Sequence, residues 1–275
     1  MRLPIRIRLV LPLAVASFLA ICAMPAAFTG LVVKAQRASG IDDVLSKTHA
    51  EVAQFAEQFS LIRYEEDFVQ QKLKNNDRVA YKQETFFDSI IRVRFDDGKI
   101  NVDEQRLAER LPRKPESRPL MSTYGFSTLA MIFHPYYESS FHFTDGGVES
   151  LDGKALTEIH FVHIPGTPTP VLYQMVGADK PMEVSGTAWV DPATGDIYRI
   201  QADLDFSSDK IGIKKIRADV AFSPVTLKGK TSPEILPSVA TIDLETVKQH
   251  WRNIHRYSDY RAYRVTTNFP GADSQ

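Results

Sequence analysis

Gly186-Thr-Ala-Trp-Val-Asp-Pro-Ala-Thr-Gly-Asp-Ile-Tyr-Arg-Ile200 decides the fold. Two runs of alternating character meet at Asp191-Pro-Ala-Thr-Gly195. Pro192 presets φ for a turn, Asp191 can bond its own backbone, and Gly195 supplies the positive φ that closes it. The second run puts Tyr198, Ile200, Ala202, Leu204 and Phe206 on one face and Arg199, Gln201, Asp203 and Asp205 on the other. A period of two with one wet face predicts a hairpin in an antiparallel sheet.

The same alternation extends both ways. Strands are expected over Ser60–Leu73, Val79–Phe95, Ser139–Thr144, Ala155–Ile164, Val171–Val176, Met182–Asp191, Ile197–Ser207, Ile213–Phe222, Leu236–Leu244, Val247–Arg256 and Tyr260–Asn268. Ahead of them, Ile41, Val44, Leu45, Val52, Phe55 and Phe59 recur at three- and four-residue steps, with Asp42, Lys47, Glu51 and Glu57 opposite. That is an amphipathic helix, with Ser39 or Asp42 placed to cap it. Two helical insertions interrupt the strands: the charged stretch Val102–Leu111 and the apolar stretch Met121–Phe133, which Pro135 ends. Residues 112–119, rich in proline, link them. The expected class is α+β: a curved antiparallel sheet, a half-barrel, wrapping the N-terminal helix and two short inserted helices.

The first 35 residues read as an export signal. Arg2, Arg6 and Arg8 precede a nearly uncharged run from Leu9 to Phe28, and small residues lead to Ala35, with Ala27 a second cleavage candidate. An uncleaved membrane anchor competes, since about 20 apolar residues can span a bilayer. Leu19-Ala-Ile-Cys22 resembles an acylation site, although Ile21 is bulky where such sites want a small residue. The division is 1–35 as signal and 36–275 as one domain, a length that β architectures often fill without splitting. The expected location is periplasmic or secreted.

Cys22 is the only cysteine, so an exported chain lacking the signal has no thiol chemistry and no disulfide. The chain carries 33 basic and 34 acidic residues. Removing Arg2, Arg6, Arg8 and Lys34 leaves 29 against 34, a net charge of −5. Nucleic acid is not an expected partner, because phosphate binding needs a basic surface to release counterions.

Chemical motifs are sparse. His160 and His163, and His250 and His255, sit at strand spacings that face opposite sides, so neither pair converges on an ion and no metal is expected. Glu65, Glu66 and Asp67 are adjacent on a strand and point apart, which reads as a solvated face. No serine lies in a nucleophile elbow, and no glycine-rich loop precedes a helix. No cofactor and no catalysis are expected. A hydrolase would require Glu66, His160 or His250 to be brought together by folding. The aromatic side chains offer apolar surface for a cavity under the sheet, and Trp189, Phe161, Phe126 and Phe133 are the candidate lining residues.

Four stretches carry a resemblance: Tyr64-Glu-Glu-Asp-Phe-Val-Gln70, Ser89-Ile-Ile-Arg-Val-Arg-Phe-Asp-Asp-Gly98, the hairpin Gly186–Gly195, and His255-Arg-Tyr-Ser-Asp-Tyr-Arg-Ala-Tyr-Arg264. With the signal, the helix and the inserted helices, the chain resembles the bacterial outer-membrane lipoprotein-sorting (LolA-like) superfamily, and more closely a group of secreted acidobacterial-type proteins. The resemblance implies a half-barrel holding acyl chains in an apolar cavity and transfers no functional residue. Two functions follow as expectations. One is an exported, non-enzymatic protein that shields an apolar ligand, a lipid or an acylated polypeptide, in its concave face. The other is an envelope module with a packed interior that binds a protein partner.

Overall fold

The computed structural model describes residues 26–59, 62–96, 99–118, 120–175, 178–205 and 213–262; the side chains of 26–39, 96 and 173–180 are outside the description. The chain divides into two compact units, residues 1–39 and Gly40–Gln275. Of the first unit, only the helical backbone from Ala26 is described. The expected signal, up to residue 25, lies outside the described residues.

Helix α1, Ala26–Phe59, starts upstream of the expected Ile41. The backbone is helical through 39–42, so neither Ser39 nor Asp42 is a cap. Val44, Val52, Ala56 and Phe59 supply its core face as the periodicity requires.

Twelve strands follow: β1 Ile62–Leu73, β2 Val79–Asp96, β3 Lys99–Arg110, β4 Phe141–Leu151, β5 Lys154–His163, β6 Leu172–Met175, β7 Ala178–Pro181, β8 Glu183–Val190, β9 Ile197–Asp205, β10 Ile213–Val225, β11 Glu234–Thr246 and β12 His250–Ala262. Ten of them form one antiparallel sheet in the order β3-β2-β1-β12-β11-β10-β9-β8-β5-β4, and β6 pairs only with β7. Strands β3 and β4 do not pair, so the curved sheet stays open: the architecture is the α+β half-barrel. The expected strands over 247–256 and 260–268 are one strand, β12, where the described chain allows the comparison.

The hairpin is as its turn chemistry dictates. Asp191 Oδ1 accepts from the Ala193 amide at 2.9 Å, the Gly195 amide donates to the Asp191 carbonyl at 2.8 Å, and Gly195 has φ of +87°. A register irregularity between Trp189 and Val190 puts Ile197, rather than Tyr198, into the core beside Ile200, Ala202 and Leu204. Phe206 lies outside the described residues.

The stretch expected to be a charged helix, Val102–Leu111, is instead edge strand β3. Its pairing with β2 from Asp96↔Lys99 to Phe86↔Arg110 overrides its helix-compatible composition. The second insertion is a 3-10 helix, Phe126–Phe133, kinked at Thr128, and Pro135 opens another, Pro135–Ser140. Residues Ser127–Phe133 are all buried. Leu129–Phe133 share one buried core with Val44, Val52, Ala56 and Phe59 of α1 and with Ile159, Phe161, Ala188, Ile200 and Val220 of the sheet.

Candidate functional site

Among the described residues, two clefts lie between the sheet and the helical segments. The larger, about 560 Å³, lies where α1 meets the β8–β9 turn and the start of β11. Charged side chains crowd it: Glu51, Lys154, Asp191, Asp196, Lys230 and Glu234. The second, about 440 Å³, lies at the open edge of the sheet between β3, the residues entering the first 3-10 helix, and Thr169–Leu172. Its walls are mixed: Ile100, Val102, Phe126, Leu129, Met131 and Leu172 stand among polar residues such as Asn101, Asp103, Glu104, Thr128 and Thr169. Val102, Tyr124 and Leu172 are 40%, 52% and 55% exposed, although each is a large apolar residue. Exposed apolar side chains thus meet polar ones at this opening.

A buried polar cluster fixes one wall of this cleft. Along β1, Tyr64, Glu66 and Phe68 alternate inward, as do Asn253, His255 and Tyr257 on β12 and Glu104 and Arg106 on β3. The Glu66 carboxylate accepts from Arg106 Nη2 at 2.8 Å, with Arg106 Nε 2.8 Å from its other oxygen, the two-point geometry that suits a guanidinium. Arg106 Nε also donates to Glu104 at 3.0 Å. His255 Nδ1 lies 2.6 Å from Glu66, and its Nε2 lies 2.8 Å from the Thr123 hydroxyl, which accepts from Asn253 Nδ2 at 2.8 Å.

Burial pushes the His255 imidazole below its ordinary pKa of 6.5, against the pull of Glu66, and so favours the neutral ring. The Thr123 hydroxyl accepts a hydrogen bond from Asn253 Nδ2 and can donate its own to His255 Nε2, an arrangement that suits a ring whose Nδ1–H faces Glu66. Burial also raises Glu104, which Arg106 opposes. The cluster sews the 121–125 segment to the sheet: Gln70 and Asn253 donate to the Met121 carbonyl, Arg106 Nη1 donates to the Thr123 carbonyl at 2.9 Å, and the Gly125 amide donates to Glu104. Tyr124, Gly125 and Phe126 are thereby held as cleft wall.

Thr123, His255 and Glu66 stand in the order of a hydroxyl–imidazole–carboxylate relay. The Glu66 and His255 side chains are 0% exposed, and neither Thr123 nor His255 lines either cleft. The cluster's hydrogen bonds fasten the 121–125 segment to the sheet. The reading of Glu65, Glu66 and Asp67 as a solvated face fails at Glu66, whose inward side meets β3 and β12, strands that no local pattern places beside it. His160 instead contacts Thr187 Oγ1 at 2.9 Å, and His250 contacts Asp243 at 3.1 Å. The fold does not unite Glu66 with either. His163 and His255 are buried. Among the described residues, no group of three His, Cys, Asp or Glu side chains could hold a metal ion.

Of the four aromatic lining candidates, Phe126 lines the second cleft. Phe133 and Phe161 are both 0% exposed and meet edge to face at 5.7 Å, within the packed centre. Trp189 alternates with the core residues Ala188 and Val190 and stands on the convex face, where its indole donates to Glu149 at 2.7 Å. Sequence pattern marks these residues as apolar and cannot show which of them other side chains cover. The segment that does border the cleft, Tyr124–Met131, carried only the signal of an apolar stretch before a proline.

Among the described residues, no helix is long and apolar enough to cross a membrane. No protein-family model matches the chain, and no curated protein does. Two crystal structures are similar to it. One is a LolA superfamily protein from Nitrosomonas europaea, with 9% identity, a TM-score of 0.37, and coverage of 79% of this chain and 94% of that one. The other is a DUF1329 family protein from Desulfovibrio piger, with 14% identity, a TM-score of 0.39, and coverage of 80% and 92%.

Proposed function

We propose that this is an exported, non-enzymatic protein that binds an apolar ligand, a lipid tail or an acylated polypeptide, in the cleft between β3, Tyr124–Met131 and Thr169–Leu172. The observation that carries the reading is the convergence of exposed Val102, Tyr124 and Leu172 on one 440 Å³ opening already walled by Phe126, Leu129 and Met131. Burial of eight methylenes there is worth roughly 6 kcal/mol before ordering costs, at about 0.8 kcal/mol each, so a single chain binds without a dedicated polar partner. Phe133 and Phe161 stiffen the core beneath the cleft, and Trp189 braces the sheet from outside. Residues 1–35 serve as the signal and 36–275 as the folded domain, a reading supported by the division of the chain at Ser39/Gly40.

The test is titration with a fluorescent fatty acid, together with mass spectrometry of lipid extracted from natively purified protein. Val102→Glu should weaken binding tenfold or more by placing a charge on the cleft wall, whereas Val148→Glu, on the distant edge strand β4 and 75% exposed, should not. A protein that purifies empty and ignores the probe, or equal effects of the two substitutions, overturns the proposal.

A further inference from the structure

The convex side of the β2–β3 end carries a third opening, with a cationic rim. Phe86 on β2 alternates with Phe87, whose ring packs inward on Phe68 at 6.2 Å, so Phe86 faces outward. Around it lies a shallow cleft of about 460 Å³ bordered by Lys82, Arg110, Arg113 and Lys114, with Glu84 as the single carboxylate. Arg110 lies over the Phe86 ring at 3.6 Å. Lys82 pairs with Glu84 at 2.6 Å, while Arg113 and Lys114 have no ion pair among the described residues. The cationic field is felt locally: the Lys82 hydrogen bond and charge hold Glu84 below its ordinary pKa, and Arg256 and Arg110 add to the shift. Two large apolar side chains flank the cations, Leu107 at 69% and Leu111 at 68% exposure.

Cations gathered where the chain as a whole is slightly acidic, with leucines projecting between them, match a surface that is anionic at its face and apolar just beneath. We propose that this convex patch docks on anionic phospholipid, with Arg110, Arg113 and Lys114 meeting headgroup phosphates and Leu107 and Leu111 entering the acyl boundary. The patch lies on the opposite face from the apolar cleft, so this inference stands whether or not that cleft binds a ligand.

The test uses the full chain with vesicles of phosphatidylcholine alone or mixed with phosphatidylglycerol. The readouts are the ratio of anionic to neutral partitioning and hydrogen-exchange protection over residues 107–114. Because both vesicles offer the same hydrocarbon to the apolar N-terminal stretch, the ratio reports charge. Each basic side chain is worth roughly fivefold at such a surface. Arg113→Gln with Lys114→Gln should therefore lower the ratio about 25-fold, and Lys214→Gln with Lys215→Gln on exposed positions of β10 should leave it unchanged. Leu107→Ser with Leu111→Ser should weaken binding to anionic vesicles while keeping its salt dependence. Protection of 107–114 should appear with anionic vesicles alone. Equal ratios for the two charge variants, protection absent from 107–114, or tight binding of inorganic phosphate or a phosphopeptide without vesicle selectivity would each overturn the proposal.

Discussion

Replacing Gly195 with alanine tests how the hairpin is seated. Gly195 holds φ of +87°, and a methyl group built there would lie 2.5 Å from the Lys47 carbonyl carbon and 2.7 Å from the Thr48 nitrogen. Both are backbone atoms of α1, which cannot rotate aside. The left-handed conformation costs an L-residue about 1–2 kcal/mol. Forcing a methyl into packed backbone adds about 1–3 kcal/mol, for a total near 2–5 kcal/mol. Gly153 separates the two contributions: its φ is +82°, but nothing lies within 4 Å of the added carbon. Gly153→Ala should therefore lose only about 1–2 kcal/mol. Urea unfolding followed by tryptophan fluorescence and circular dichroism measures both, and the additional loss in Gly195→Ala should move its midpoint lower by up to about 1 M. Equal losses would refute the idea that the turn rests directly on the helix backbone.

Other outcomes follow from the buried cluster and the core. Arg106→Met leaves Glu66 and Glu104 buried without their cation and should cost about 3–5 kcal/mol in urea unfolding, whereas an exposed pair such as Arg217–Asp203 should cost under about 1 kcal/mol when cut. Because the folded pKa of His255 lies below 6.5, the unfolded chain binds the extra proton first, so this residue's contribution to stability falls as pH drops below about 6.5 toward the lowered value. His255→Gln should flatten that part of the stability-against-pH curve, and an unchanged slope would show that the ring is not held neutral. Phe161→Ala should lower stability by about 3–5 kcal/mol through the cavity it leaves, measured by the same unfolding assay.

Sequence alone determined the class of fold, because turn chemistry and side-chain alternation are local. Asp191, Pro192 and Gly195 needed no partner to announce the hairpin, and the period of two located most of the sheet within a few residues. The same locality explains the error at Lys99–Arg110: a charged stretch with few β-branched residues resembles a surface helix until β2 offers it an edge. Tertiary structure decided the rest. Glu66 and His255 are 189 positions apart, and only the pairing of β1 with β12 brings them to 2.6 Å. Likewise, periodicity identified Phe126, Phe133 and Phe161 as apolar, but whether each meets a cleft or another ring depends on how the 3-10 helices fill the concave face. Burial is a property of the assembled neighbours, and the residues that cover a side chain come from distant strands whose register no local pattern records.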